Sequence, residues 1–325
     1  MTFPLNAYLL ALLGAFLASA ASLPLWRAWC RCTGLVDDPG ERKIHAEPIP
    51  LAGGLAVMTG VLVPLLLGLL ALKLELLAPQ TVAPLQHGVG KRAGQLGAIL
   101  AGALAMLVLG WLDDKHELRA GPKFAGQIFI AALVAAAGVR ITLFVPNLAF
   151  SYAVTILWIV TVTNAVNFLD NMNGLCAGLG AIASACFGAI AAAHGQYLVA
   201  SLALLVCGAL LGFLPFNYPQ ASAFIGDSGS HLTGFLLAVL AILPHFYSTQ
   251  HPVKLAVLSP LLILAVPLAD LVCVVWIRGR AGKAFWIGDT NHISHRFVRG
   301  GLSKASAVAV IWLLAAAGGL LALLL

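Results

Sequence analysis

Five short polar strings interrupt an otherwise apolar chain, and they hold most of the residues that could do chemistry. Gly110-Trp111-Leu112-Asp113-Asp114-Lys115 closes an apolar run on two adjacent carboxylates, which repel unless a cation stands near. That string is either a solvated helix end or a carboxylate pair beside a metal or a phosphate substrate, with Lys123 as a phosphate anchor. Asn164, Asn167 and Asp170 fall at i, i+3 and i+6, within an arc of about 120° on a helix. Such a polar face is costly in a membrane helix unless it meets protein, water or ligand, so an interhelical hydrogen-bond cluster and a ligand site both stay open. Asn171-Met172-Asn173-Gly174 then reads as a turn.

Phe224-Ile225-Gly226-Asp227-Ser228-Gly229-Ser230 sets an aspartate among glycines in a short polar turn, a setting that suits a hard cation. In Asp289-Thr290-Asn291-His292-Ile293-Ser294-His295-Arg296, two histidines sit at i and i+3. A zinc site would need further ligands, and no H-E-x-x-H pair or neighbouring cysteine supplies them. With Arg278, Arg280, Lys283 and Arg296 close by, anion recognition is the better expectation, and a basic loop touching anionic lipid heads is the alternative. The stretch Asp37 to Gly54, with Lys43 and His45 among its charges and prolines, suggests an ordered loop rather than a tail. Asp270, three residues after Pro267, is expected to bond backbone freed by the proline. Carboxylates and asparagines ringed by Lys, Arg and His match the needs of Mg²⁺-assisted phosphoryl chemistry. No Walker A loop and no dinucleotide-binding glycine string is present, so a nucleotide must be bound another way.

The elements that must position these groups are membrane helices. Apolar residues make up 61% of the chain and charged residues 9%, far from the balance of a soluble domain, and the mean hydropathy is +0.98. Ten apolar runs can be marked, near 5–26, 51–72, 94–112, 124–139, 149–168, 174–193, 196–216, 231–247, 254–276 and 305–325. They predict an all-α polytopic membrane protein of about ten helices, one domain over residues 1–325, with the active site at the cytoplasmic face. The chain is apolar from Phe3 and has no Lys or Arg before Arg27, so a retained first helix is expected rather than a cleaved signal. The six cysteines form no C-x-x-C pair and support no disulfide framework. With ten spans, thirteen of the eighteen cations fall on the side of the loops after odd-numbered spans, which makes that side cytoplasmic and puts both termini outside. Of twelve acids only Glu75 falls on the other side, a bias that orientation does not explain and function does.

Together these strings resemble the polyprenyl-phosphate N-acetylhexosamine-1-phosphate transferases, over about residues 35–300. The family pattern R-K-x-H-x-x-P-x-P-x-x-G-G is matched by Arg42, Lys43, His45, Pro48, Pro50, Gly53 and Gly54. Paired aspartates are matched by Asp113 and Asp114, N-x-x-N-x-x-D by Asn164, Asn167 and Asp170, and G-D-x-G-S by Gly226, Asp227, Gly229 and Ser230. The resemblance implies transfer of a sugar 1-phosphate, with GlcNAc favoured, from a UDP-N-acetylhexosamine to a polyprenyl (undecaprenyl) phosphate, releasing UMP. It implies Mg²⁺, with Mn²⁺ as a substitute, held by Asp227 and Asn167. It gives catalytic roles to Asp113, Asp114 and Asp170, the first two in deprotonating or positioning the lipid phosphate. It gives substrate contacts to Lys43, His45, Lys123, Asn164, Asn173, His292, His295 and Arg296.

The implied partners are the nucleotide sugar, the prenyl phosphate and membrane lipid, with no nucleic acid; a homodimer is compatible, and the implied place is a bacterial inner membrane. Two departures stand out. Bacterial members read D-G-x-D-G where this chain has Asp170-Asn171-Met172-Asn173-Gly174, and H-I-H-H where it has His292-Ile293-Ser294-His295. The three consecutive histidines of the peptidoglycan translocase are absent, which argues against UDP-MurNAc-pentapeptide. The rival readings are that translocase, a secondary transporter, a membrane metalloprotease and a catalytically silent relative. Acids at helix ends on one side speak against a transporter, whose ionisable groups lie near the midplane.

Overall fold

The computed structural model describes residues 2–39, 47–143, 145–244, 246 and 253–325. Its helices are α1 (Leu5–Thr33), α2 (Gly53–Lys73), α3 (Pro79–His116), α4 (Ala120–Ala136), α5 (Leu148–Phe168) and α6 (Leu175–Ala193), then α7 (Tyr197–Phe213), α8 (Gly226–Leu240), α9 (Ser259–Ile263), α10 (Ala265–Arg280), α11 (Ile293–Arg299) and α12 (Lys304–Leu323). Two-residue strands β1 (Val36–Asp37) and β2 (Ile49–Pro50) pair antiparallel and frame the first loop. The chain is an all-α polytopic membrane protein.

Each of the ten apolar runs carries helix, although not every one of these helices is long and apolar enough by itself to qualify as a span. Among the described residues, seven helices are long and apolar enough to cross a membrane, and α9 with α10 makes an eighth if that pair, bent by 69°, is one span. The helices α4 and α8, with 17 and 15 residues, fall short. Both begin inside the polar cluster, so their first turns carry Lys123 and Asp227 instead of apolar residues. The third run extends further than its hydropathy suggests. Helix α3 starts at Pro79, a residue suited to a helix N-terminus, and its 38 residues reach about 57 Å.

Helix contacts run through small residues, as expected where apolar lipid gives helices no reason to associate by burial alone. A side chain at Gly208 or Gly212 of α7 would meet the Leu12 or Phe16 carbonyl of α1 at 2.1 and 2.3 Å. Helix α1 faces outward and buries four of its 29 residues, whereas α8 is enclosed by α2, α3, α5 and α6. Fourteen of the fifteen α8 residues are buried, and the exception is Asp227.

Candidate active site

The polar groups gather where one end of α8 meets the ends of α3, α4 and α5. The N-terminus of α8 is fixed first by backbone. Phe224 N–H donates to the Pro50 carbonyl at 2.9 Å, and the N–H groups of Gly53 and Gly54 donate to Phe224 and Ile225 carbonyls at 2.9 and 3.1 Å. Gly54 and Gly229 lie so close that a Cβ on the former would stand 2.5 Å from the Gly229 nitrogen. Gly226 takes a left-handed φ of 70°, which a residue with a side chain rarely adopts.

Asp114 grips this helix end. Its Oδ1 accepts from Asp227 N–H at 2.7 Å and its Oδ2 from Ser228 N–H at 3.0 Å. A carboxylate there satisfies donors that a helix leaves open and complements the helix dipole. The approach depends on Gly110, since a Cβ at that position would lie 2.3 Å from the Asp227 carbonyl oxygen. Both oxygens of Asp114 are therefore engaged in placing Asp227.

Asp227 is held on its other side by Asn167, whose Nδ2 donates to Asp227 Oδ1 at 2.5 Å and to Ser230 Oγ at 2.8 Å. Lys123 stands 4.0 Å from the same carboxylate oxygen and 2.6 Å from Asp113 Oδ2. Buried Asp113 also accepts the Leu118 N–H at 2.9 Å, which shapes the turn from α3 into α4 and so aims Lys123. Asp170 follows α5 on the wall of a cavity of about 720 Å³ that Asn173, Asn217, Tyr218, Phe224, Gly226 and Lys304 also line. Burial, and after it the carboxylates of Asp227 and Asp114, hold Asp170 well above the usual carboxylate range. Asn173 Nδ2 donates to the Pro219 carbonyl at 3.2 Å on the same wall.

The structure corrects one assignment. Asn164, expected at the substrate, is buried between α4 and α5, where its Nδ2 donates to Gln127 Oε1 at 2.6 Å and to the Val160 carbonyl at 2.8 Å. One helical turn below Asn167, it is committed to helix packing. Lys43 and His45 lie outside the described residues, although Asp37, Ile49 and Leu51 on either side of that loop line the cavity.

The loop after α10 docks against Asp170–Asn171. Ser294 Oγ donates to Asn171 Oδ1 at 2.6 Å, so the two departures from the family strings touch each other. His292 Nδ1 meets Asp270 Oδ2 at 2.7 Å. Arg278 does not face a ligand: its buried guanidinium bonds Asp289 at 3.2 and 3.3 Å and lies over the Phe168 ring at 5.0 Å. Arg296 donates through Nε to the Asn291 carbonyl at 2.9 Å, which also shapes this loop. Burial, and after it His292, hold the partly buried His295 below the usual imidazole range.

Several participants carried no sequence signal. Gln127 looks like any single polar residue within an apolar helix. Asn217, which accepts from Gly174 N–H at 2.6 Å and donates to the Ala223 carbonyl at 3.0 Å, ties the 170s turn to the segment before α8. His231 shares a ring-nitrogen hydrogen bond of 2.6 Å with the Asp227 carbonyl, a contact that only the i, i+4 spacing on α8 could have suggested.

The donor set fits a magnesium ion. Among the described residues no three His, Cys, Asp or Glu side chains converge into a closed metal cage. Mg²⁺ asks for no cage, since it keeps waters and takes one or two carboxylates together with substrate phosphates. Asp227, with the carboxylates of Asp114 and Asp170 close and Lys123 4.0 Å away, has the chemistry of such a ligand. Asn167 presents its amide nitrogen to Asp227, so it orients that carboxylate, and among the described residues its amide oxygen has no hydrogen-bond partner.

Comparison with known proteins gives consistent neighbours. The profile of glycosyl transferase family 4 matches residues 96–245. A probable undecaprenyl-phosphate N-acetylglucosaminyl 1-phosphate transferase of Bacillus subtilis is 34% identical over 289 residues, covering 86% of this chain and 74% of the relative. A decaprenyl-phosphate N-acetylglucosaminephosphotransferase of Mycobacterium tuberculosis is 34% identical, covering 86% of this chain and 73% of its own length. An undecaprenyl-phosphate alpha-N-acetylglucosaminyl 1-phosphate transferase of Escherichia coli K12 is 27% identical over 94% of this chain and 80% of the relative.

Proposed function

The chain belongs to glycosyl transferase family 4, the polyprenyl-phosphate N-acetylhexosamine-1-phosphate transferases, and from that premise we propose that it moves GlcNAc 1-phosphate from UDP-GlcNAc to a polyprenyl phosphate. The observation that carries this reading is the setting of Asp227: the one residue of a buried helix that is open to solvent, held from two sides, with Lys123 4.0 Å away. A carboxylate and an ammonium fixed together at a helix end suit a diphosphate and its counter-cation.

In the proposed reaction an oxygen of the lipid phosphate bonds to the sugar-bearing phosphorus of the donor. The bond from that phosphorus to the bridging oxygen breaks, and UMP leaves with that oxygen. A phosphate is already a competent nucleophile near neutral pH, so the main barrier is bringing two polyanions together. Mg²⁺, or Mn²⁺ in its place, held by Asp227 and the Asn167 amide oxygen, would supply charge neutralisation at the diphosphate. Lys123, held by Asp113 beside Asp227, adds a second cation. Asp113 then keeps Lys123 aimed and Asp114 keeps Asp227 placed, so neither needs to act as a strong base. The cavity of about 720 Å³ takes the nucleotide sugar, with Asp170 and Asn173 on its wall and Ser294 bonded to the lining residue Asn171. The prenyl chain stays in lipid while its head reaches this edge.

We place the site at the cytoplasmic face of a bacterial inner membrane, by the cation count. Both termini, at the far ends of α1 and α12, then lie outside. The test is UMP release by detergent-purified protein given undecaprenyl phosphate and a panel of UDP-sugars, with and without Mg²⁺. Release that needs the lipid, the metal and UDP-GlcNAc is the expected result. Release independent of lipid, or none with any UDP-sugar, rejects the proposal.

A further inference from the structure

Asp270 is a buried carboxylate in the middle of α10, 5% exposed, with no obvious work in a membrane helix. Its surroundings are specific. Oδ2 lies 2.7 Å from His292 Nδ1, and Oδ1 accepts the Ile293 N–H at 2.7 Å. Pro267 lies one turn earlier in the same helix, yet the carboxylate turns away from the helix to these partners. Both oxygens are thus spent on two consecutive residues of the loop that borders Asp170 and Asn171.

A carboxylate oxygen only accepts, so the hydrogen on this bond belongs to His292 Nδ1. The bond fixes the ring's orientation and leaves Nε2 as the atom facing away from Asp270. Among the described residues Nε2 has no protein hydrogen-bond partner, and it is not among the buried atoms left unsatisfied. The ring's neighbours are the Phe168 edge at 6.1 Å and His295 at 6.2 Å. The next residue but one, Ser294, is pinned to Asn171 beside Asp170. His292 therefore stands two residues before Ser294, which bonds the cavity-lining Asn171, with one of its nitrogens locked and the other unspent.

We propose that Asp270 is a positioning residue for donor recognition: it selects the His292 tautomer and aims Nε2 at the nucleotide sugar. This inference rests on the proposed function, because the ligand of Nε2 is the donor named there. Asp270 touches no substrate and acts through His292. The same carboxylate anchors the loop backbone through Ile293, so ring and loop are set together.

The test is a double-mutant cycle on the full chain in detergent, with Asp270→Asn, His292→Gln and the pair. An asparagine at 270 that keeps the Ile293 bond must turn its NH₂ to the ring, which makes Nδ1 an acceptor and moves the ring hydrogen to Nε2. Each single variant is expected to lower kcat/KM for UDP-GlcNAc by about ten- to a hundredfold, with the KM for lipid phosphate unchanged. The pair is expected to lose no more than the worse single variant. Losses that multiply, or an Asp270→Asn enzyme that only melts earlier at wild-type kcat/KM, overturn the proposal. Nitrogen-15 histidine spectra read the tautomer directly, and a His292 signal unmoved by Asp270→Asn overturns it too. If the wild-type chain neither binds nor turns over any UDP-sugar, the proposed function fails, and with it the claim that Nε2 reads a donor; the spectra still judge the pairing by itself.

Discussion

Asn164 and Asn167 have the same side chain one turn apart on α5, and their neighbours divide them. Asn167 spends its amide nitrogen on Asp227 and Ser230, whereas Asn164 is closed in a buried exchange with Gln127. Replacing Asn164 with Leu strands the Gln127 amide, which costs about 1–3 kcal/mol. The expected outcome is a lower thermal midpoint with an unchanged KM for UDP-GlcNAc, read by differential scanning in detergent alongside kinetics. Asp227→Ala is expected to do the reverse. Turnover falls by at least about a hundredfold, and raising Mg²⁺ does not restore it, while the melting temperature barely moves. The spacing of Asn164, Asn167 and Asp170 announced a polar face in the sequence. It could not say which members meet ligand and which meet a helix, because Gln127 lies 37 residues away with no local pattern linking it to Asn164.

At the level of elements, the contact between α3 and α8 sets the position of Asp227. Gly110→Ala puts a methyl group where the Asp227 and Ser228 backbone lies, and backbone yields only by moving the helix end. The expected outcome is loss of turnover and of Mg²⁺ dependence together, in a protein that still folds; UMP release against metal concentration checks it. The loop after α10 allows a pH test. Burial pushes Asp289 upward, but hydrogen bonds from Arg278 and Asn291 outweigh it and hold the carboxyl at about 2, below its ordinary 3.8. A depressed folded-state pKa gives stability that is complete above the unfolded value and lost as pH falls through the folded one. Hydrogen exchange in residues 284–291, corrected for intrinsic rate, should stay constant down to about pH 4 and rise as pH drops toward about 2. In Asp289→Asn it should be raised throughout. The anchors of this loop were not legible in the sequence. Arg278 read there as a ligand-facing cation, and Asp270 read as a patch for a proline, because their partners sit 11 and 22 residues on across an irregular segment.

For the whole molecule, hydropathy was a sufficient guide to class and order, since apolar runs long enough to cross lipid have little choice but to be helical. It was a poor guide to length. The start of α3 is amphipathic and escaped notice, and α4 and α8 begin and end before the apolar runs that announced them, because their first turns carry polar site residues. The proposed orientation has a direct test. A cysteine placed at Glu75 should react with a membrane-impermeant maleimide in intact cells, and the exposed native Cys32 should react only after the membrane is opened. The opposite pattern would invert the topology and put the site outside.

The crossing of glycines at Gly54, Gly110 and Gly229 means that the machinery is registered largely by main chain against main chain. Such a joint has no intermediate settings. Substitution on the cavity wall, at Asn173 or Lys304, reshapes the cavity without touching that joint. Drift at the joint itself has a single tolerated solution, so new members of this architecture should diversify from the rim inward and stop short of it.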